Sequence, residues 1–172
     1  MAEEGSGLET DMVPRLTPTD QTLITLLQRN ARLTNKDLAR SAGIAESTCL
    51  ERGRALQERG VIRGWHAEID MEALGRPIRA LISIRLQPKT TRSVHAFREE
   101  ILSAPETVAI DTVTGTDDFI VEVAVPDVDR LRTFVLERVT SRTDVADTRT
   151  ALVYEHHRKS VLEFLQPSEE RG

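Results

Sequence analysis

Near Arg79 the spacing of apolar residues changes period, which a chain built from one kind of element does not do. Upstream, Leu23, Ile24, Leu26 and Leu27 cluster as the stripe of an amphipathic helix. Downstream, Ala80, Ile82, Ile84 and Leu86 alternate with Ser83 and Arg85, the pattern of a half-buried strand. With 172 residues the chain can hold two small cores, and the change of period says where to divide it.

The upstream part reads as three helices. Thr17-Pro18-Thr19-Asp20 supplies an N-cap, a proline at the first helical position and an acid at the third. Thr34-Asn35-Lys36-Asp37 repeats the cap and acid, and the helix it starts runs to Ala42, where Gly43 stops it. A third helix is predicted from Glu46 to Arg59, with Cys49, Gly53 and Leu56 on one face and Gly60 closing it. Two short helices, a glycine-containing turn and a third helix make a helix-turn-helix. Val61–Ala67 is β-prone and suits a wing-like strand, and Trp65 and His66 are expected to pack the connector against its neighbour.

Charge agrees with that reading. The chain totals -5, yet residues 29–63 hold eight basic and four acidic residues, a net of +4, so the remainder carries -9. A DNA-binding module joined to an acidic domain distributes charge in this way, as does a solvated helix face with basic residues clustered by chance. The first turns of the third helix in such a module enter the major groove. Ser47, Thr48, Glu51 and Arg52 are therefore candidates for base or phosphate contact, and Asn35 and Lys36, at the start of helix two, for phosphate. Arg54 and Arg63 are weaker candidates for the backbone, and Leu50 is expected outward, near a thymine methyl or against helix two.

The downstream part reads βαββαβ. A strand from Arg79 to Leu86 precedes a helix bearing Val94, Phe97 and Ile101. Strands Thr107–Thr114 and Phe119–Val125 join at Gly115-Thr116-Asp117-Asp118 as a hairpin. Asp127 caps a second helix bearing Val128, Leu131, Val135 and Val139, and Val145–Glu155 is the fourth strand. The predicted fold class is α+β, a winged helix-turn-helix followed by a ferredoxin-like βαββαβ domain. Helices should cover one face of its four-stranded antiparallel sheet, leaving the other for a partner and implying a dimer. The predicted divisions are a disordered tail over 1–14, the helix-turn-helix over 15–64, a connector over 65–78, the βαββαβ domain over 79–156 and a C-terminal tail over 157–172.

Several classes are excluded by what the sequence lacks. The single Cys49 has no partner for an intramolecular bridge, and His66, His95, His156 and His157 have no metal-ligand spacing, so no metal and no cofactor are expected. No stretch of about 18 apolar residues spans a membrane, and the acidic opening MAEEGSGLETD is unlike a signal peptide, which predicts a cytoplasmic protein. No G-x-S-x-G elbow, G-x-G-x-x-G turn or Walker loop is present, so an enzyme is not expected.

The residues carrying these readings resemble one family. Asp20–Arg29, Leu33-Thr34-Asn35, Leu38, Thr48–Arg52 and Leu56–Gly64 are similar to the helix-turn-helix of the Lrp/AsnC (feast/famine) regulators. Val113–Phe119 with Val125-Pro126-Asp127 resembles the hairpin of that family's ligand-sensing domain, and Asp147-Thr148-Arg149-Thr150 its last strand. The resemblance implies binding to double-stranded DNA and self-association as dimers that build tetramers or octamers. It also implies a free amino acid as effector, held between dimers by Thr114, Gly115, Thr116, Asp117, Asp118, Thr148 and Thr150. By themselves these residues read as a plain polar turn and an ordinary strand, and only the resemblance makes them an effector site. An architectural DNA-binding protein that oligomerises without an effector would share every feature but a working pocket. Three positions depart from the family: Ala45 replaces the usual Ser or Thr cap of the third helix, Gly53 a branched aliphatic, and Asp117 an aromatic residue common in the hairpin.

Overall fold

Thr17 caps the first helix as its sequence predicts. Its hydroxyl accepts from the Asp20 amide at 3.2 Å while the Asp20 carboxylate accepts from the Thr17 amide at 2.9 Å, so two amides left over at the helix start are satisfied reciprocally. Helix α1 spans Pro18–Arg29, α2 Asn35–Ala42 and α3 Glu46–Glu58. The computed structural model describes residues 15–165; the tail expected over 1–14 and the last seven residues of the one expected over 157–172 lie outside them. The chain divides into two compact units, one reaching to Ala67 and including the chain from Arg158 onward, the other Glu68–His157.

In the helical unit Leu23, Leu38, Ala39 and Cys49 form the core, with Leu26, Leu27, Leu33, Ala42 and Ile44 packed against it. Helix α3 ends in a two-bond closure. The Gly60 amide donates to the Gln57 carbonyl at 2.9 Å and the Val61 amide to the Leu56 carbonyl at 2.9 Å. Gly60 adopts φ +68 to allow this, a conformation that costs a side-chain-bearing residue energy. Because Val61 and Ile62 both donate back to Leu56, the wing strand expected over Val61–Ala67 does not form. The segment is irregular, since no strand lies beside it in the described chain to accept a ladder. Trp65, expected as packing, is 47% exposed on the rim of a groove of about 300 Å³ lined by Leu27, Leu38, Cys49, Gly53 and Ile62. Residues 158–165, expected as tail, return to α1: the Gln28 amide donates to the Leu162 carbonyl at 3.1 Å and the Leu162 amide donates to Gln28 Oε1 at 2.8 Å.

The second unit is the predicted α+β domain. Strands β1 (Ile78–Leu86), β2 (Thr107–Thr112), β3 (Phe119–Val125) and β4 (Val145–Leu152) form one antiparallel sheet in the order β2-β3-β1-β4. Helices α4 (Thr91–Ser103) and α5 (Val128–Phe134) lie on one face. There Phe97, Ile101, Leu131 and Phe134 pack on Ile82, Ile84, Phe119, Val121 and Val123. On the other face β1 presents Arg79, Leu81, Ser83 and Arg85, and no helix of this unit covers it.

Three elements differ from their predicted form. Strand β2 ends at Thr112 rather than Thr114. The second helix does not continue as α-helix through Val139: after Phe134 it passes into π-helical turns over Val135–Thr140. A π-turn advances five residues per closure, which brings Val139 under the sheet with Phe134 while Leu136 stays exposed. Strand β4 ends at Leu152 rather than Glu155, and after one more bond, from the Val153 amide to the Arg79 carbonyl at 2.9 Å, Tyr154 stands almost wholly exposed.

Candidate DNA-binding and effector sites

Helix α3 buries Cys49 and Leu56. At 100° per residue that leaves Ser47, Glu51 and Arg54 on the opposite stripe, where all three are exposed. Leu50 flanks them, 46% exposed. The first turn of α3 has Ala45 at its N-cap and no side-chain hydrogen bond there, so its leading amides are free of a protein acceptor among the described residues. Such amides, with the positive end of the helix dipole, suit a phosphate oxygen.

The other candidates from sequence are not all on that stripe. Lys36 and Arg63 are exposed, and Thr48 is half-buried. Asn35 spends its amide on the Glu46 carbonyl at 2.9 Å, which ties the start of α2 to the start of α3. Arg52 turns inward. Its guanidinium donates to Asp20 Oδ1 at 3.0 Å and to the Thr17 hydroxyl at 3.2 Å, so it clamps α3 to the capped end of α1 and is not a free donor beside Ser47 and Glu51. Asp20 is nearly buried. Burial pushes its carboxyl upward, but the hydrogen bonds from Thr17 and Arg52 outweigh that and hold it below the usual carboxylate value.

In the second unit the β2–β3 connection closes with the Val113 amide donating to the Asp118 carbonyl at 2.9 Å, which leaves Thr114–Asp117 as its tip. Thr114, Gly115 and Thr116 are exposed, and Gly115 has φ +118, a conformation glycine alone adopts without strain. The two carboxylates are already engaged. Asp118 is buried, accepts from the Leu86 amide at 2.8 Å and pairs with Lys89 at 2.5 Å; its own amide donates to the Ile84 carbonyl at 2.8 Å. It therefore staples the start of β3 to the end of β1. Burial raises its carboxyl, and Lys89 and the Leu86 amide more than reverse that, so it lies below the usual value.

Asp117 accepts from one arm of Arg149, Nη2, on both of its carboxylate oxygens, at 2.6 and 2.7 Å. Register explains why β4 meets the turn through Arg149 and not through the threonines either side of it. Thr148 pairs with Ile84 and Thr150 with Ile82, whereas Arg149 pairs with Ser83. Side chains of directly paired residues share a face. Thr148 and Thr150 therefore lie on the helix side, where the Thr148 hydroxyl is buried with no hydrogen-bond partner among the described residues, and Arg149 lies on the open side with Asp117. The structure thus brings the turn together with Arg149 and separates it from Thr148 and Thr150.

Comparison with known proteins decides what this pairing of units is. Residues 79–162 match the model of the Lrp/AsnC ligand binding domain, and residues 16–63 that of a winged helix-turn-helix DNA-binding domain. The chain belongs to the Lrp/AsnC family. It is 40% identical over 139 residues to the HTH-type transcriptional regulator AldR of Mycobacterium tuberculosis, covering 81% of this chain and 78% of that one. To AldR of Mycolicibacterium smegmatis it is 41% identical over 139 residues, with 81% of each chain covered. Its fold is similar to that of a transcriptional regulator from Neisseria meningitidis solved as a complex with L-Met, at a TM-score of 0.78 and 25% identity, covering 86% of this chain and 97% of that one. These Lrp/AsnC relatives are named as transcriptional regulators, not as enzymes. The Lrp/AsnC chain described here is accordingly a transcriptional regulator with a DNA-binding helix-turn-helix and a ligand-binding domain, and none of its described helices is long and apolar enough to cross a membrane.

Proposed function

We propose that this protein is an amino-acid-responsive regulator in the cytoplasm that binds pseudo-palindromic DNA as a dimer or larger assembly. The observation that carries this reading is the joining of an outward stripe on α3 to a ligand-binding unit whose sheet keeps one face uncovered by its own helices. A second copy placed on that face, where Leu81 is exposed and Ile120 half-buried, completes the core as a sandwich. It also pairs two α3 helices, which face successive major grooves when about 34 to 36 Å apart. Ser47, Glu51 and Arg54 then meet base edges, with Lys36, Thr48 and Arg63 near the phosphates. Asn35 and Arg52 hold the helices in place.

The effector in this reading is a free amino acid at the Thr114–Asp118 turn, between dimers that assemble as tetramers or octamers. Support comes from the exposed Thr114 and Thr116 hydroxyls, the unusual backbone at Gly115, and a similar fold solved with L-Met bound. The engagement of Asp117 and Asp118 within the chain favours a second reading, an architectural protein that assembles on DNA without an effector. Footprinting on a promoter fragment that the protein binds, with native mass of the bound species, tests the first part. The expected result is protection repeating with the helical turn and a bound species of at least two chains. Aperiodic protection, or specific binding by a single chain, contradicts it. Calorimetric titration of the twenty amino acids separates the readings: heat from one or more at millimolar concentration supports the effector, and none from any supports the architectural protein.

A further inference from the structure

We propose that Arg149 is the specificity-determining residue of the effector turn: its guanidinium receives the effector's carboxylate, and Asp117 holds it in waiting until then. The proposal rests on the amino-acid reading above. Three observations lead to it. Of the charged groups the turn gathers, Asp118 is spent on Leu86 and Lys89. Asp117 has both oxygens on Arg149, and its side chain is only 19% exposed against 58% for Arg149. The member of the pair that solvent reaches is the arginine.

Arg149 is also only partly committed. One arm of its guanidinium takes Asp117 and the other reaches Asp147 at 3.2 Å. A guanidinium presents five N–H donors in a planar fork that matches a carboxylate in two parallel bonds. An incoming α-carboxylate can therefore replace Asp117 on the Nη2 arm and leave Arg149 paired with a carboxylate as before. The exchange releases Asp117, a carboxylate beside the exposed Gly115-Thr116 backbone, to receive the effector's ammonium. The resting pair thus mimics both ends of a zwitterion, and the ligand class that fits the exchange is a free amino acid with both its charges. The amide of the same amino acid lacks the carboxylate and does not fit.

Position on the edge strand gives the exchange a route to assembly. β4 lies at one end of the sheet order, so a change at Arg149 falls at the margin of the face proposed to meet a second copy.

The test uses the full-length protein with the twenty free L-amino acids as probes, and the carboxamide of whichever binds tightest. The variants are Arg149→Gln and Asp117→Asn, with thermal melting and native mass recorded for each. If the pair is only a staple, neither variant changes the preference for the amino acid over its carboxamide. If Arg149 receives the carboxylate, that preference tells the variants apart: R149Q weakens binding of the amino acid by about tenfold or more, from loss of a charge-assisted contact, and binds the carboxamide as well as the amino acid. D117N, which loses the ammonium contact but keeps the arginine, still prefers the amino acid, and the carboxamide binds the wild type at least about tenfold less tightly than the amino acid. Equal binding by wild type and R149Q overturns the assignment, as does an R149Q protein that keeps the wild-type preference, or equal affinity of the wild type for the carboxamide. If no amino acid binds wild type or D117N, the amino-acid reading itself falls and this inference with it; binding by wild type that R149Q does not alter removes only Arg149.

Discussion

Each unit joins two of its elements through one arginine on one aspartate, and the surroundings of the two pairs differ. In the helical unit Asp20 is nearly buried, and it takes the Thr17 amide and hydroxyl as well as Arg52. In the sheet unit Asp117 has Arg149 alone as its charged partner, and the arginine stands largely in solvent. A desolvated carboxylate with several donors is costly to strip of any one of them, whereas an exposed pair is screened by water and salt. The first pair belongs to the architecture that aims α3. The second can be broken at little cost in fold stability, as the proposed exchange with a ligand requires.

The largest expected effect breaks the first pair. Asp20→Ala removes the capping box and leaves Arg52 without its acid, and should destabilise the helical unit by about 2 to 4 kcal/mol, while Arg52→Ala, partly exposed, costs about 1 to 2. Arg149→Gln should cost under about 1 kcal/mol. Denaturant midpoints followed separately for the two units measure all three, and equal losses in the two pairs contradict the contrast.

DNA affinity sharpens it next. Arg54→Ala, on the outward stripe, should weaken operator binding by about 1 to 3 kcal/mol without moving the melting temperature. Arg52→Ala should lower affinity only to the extent that it lowers stability. Fluorescence anisotropy beside melting curves tells them apart, and an Arg52→Ala protein that melts normally yet fails to bind would return that residue to the DNA.

Acid should expose the buried carboxylates. Asp20 and Asp118 both lie below their ordinary value of 3.8 in the fold, so each adds stability that is present above that pH and lost as the pH falls through its folded value. Unfolding free energy should therefore be insensitive to these groups near neutrality and decline below about pH 4. Asp20→Asn should flatten the decline of the helical unit alone, and Asp118→Asn that of the sheet unit. A decline unchanged in both variants would place the acid sensitivity elsewhere.

The smallest effect is a gain. A Cβ built at Gly53 meets nothing within 4 Å, since the residue lines the groove beside Cys49 and Leu38. Gly53→Ala should stabilise the helical unit by up to about 1 kcal/mol, and a lower midpoint would mean the groove has to close against α3.

What the sequence made legible was local. Thr17 and Asp20, Thr34 and Asp37, and Gly60 with Gln57 act within a few residues of one another, and each cap forms as its spacing predicts. The order βαββαβ was legible for the same reason, each strand and helix carrying its own period. Pairings across the fold were not. Arg52 and Asp20 are 32 residues apart, and counting charges gives a basic segment without saying which arginine turns inward. At β4 the alternation put Thr148 and Thr150 on one face correctly, but which face meets the turn depends on the register of Arg149 with Ser83, fixed by β1. Arg149 lies between the two threonines, and its signal is that period two places it on the opposite side from both.

The central claim is that the ligand-binding unit governs the hold of the helix-turn-helix on DNA. Its most direct test is operator affinity of the full-length protein measured by anisotropy at fixed salt, with and without the amino acid selected by calorimetry. Coupling of about 1 to 3 kcal/mol predicts a shift of roughly 5- to 150-fold in one direction, abolished in Arg149→Gln at the same ligand concentration. An operator affinity identical with and without a bound amino acid would contradict the account.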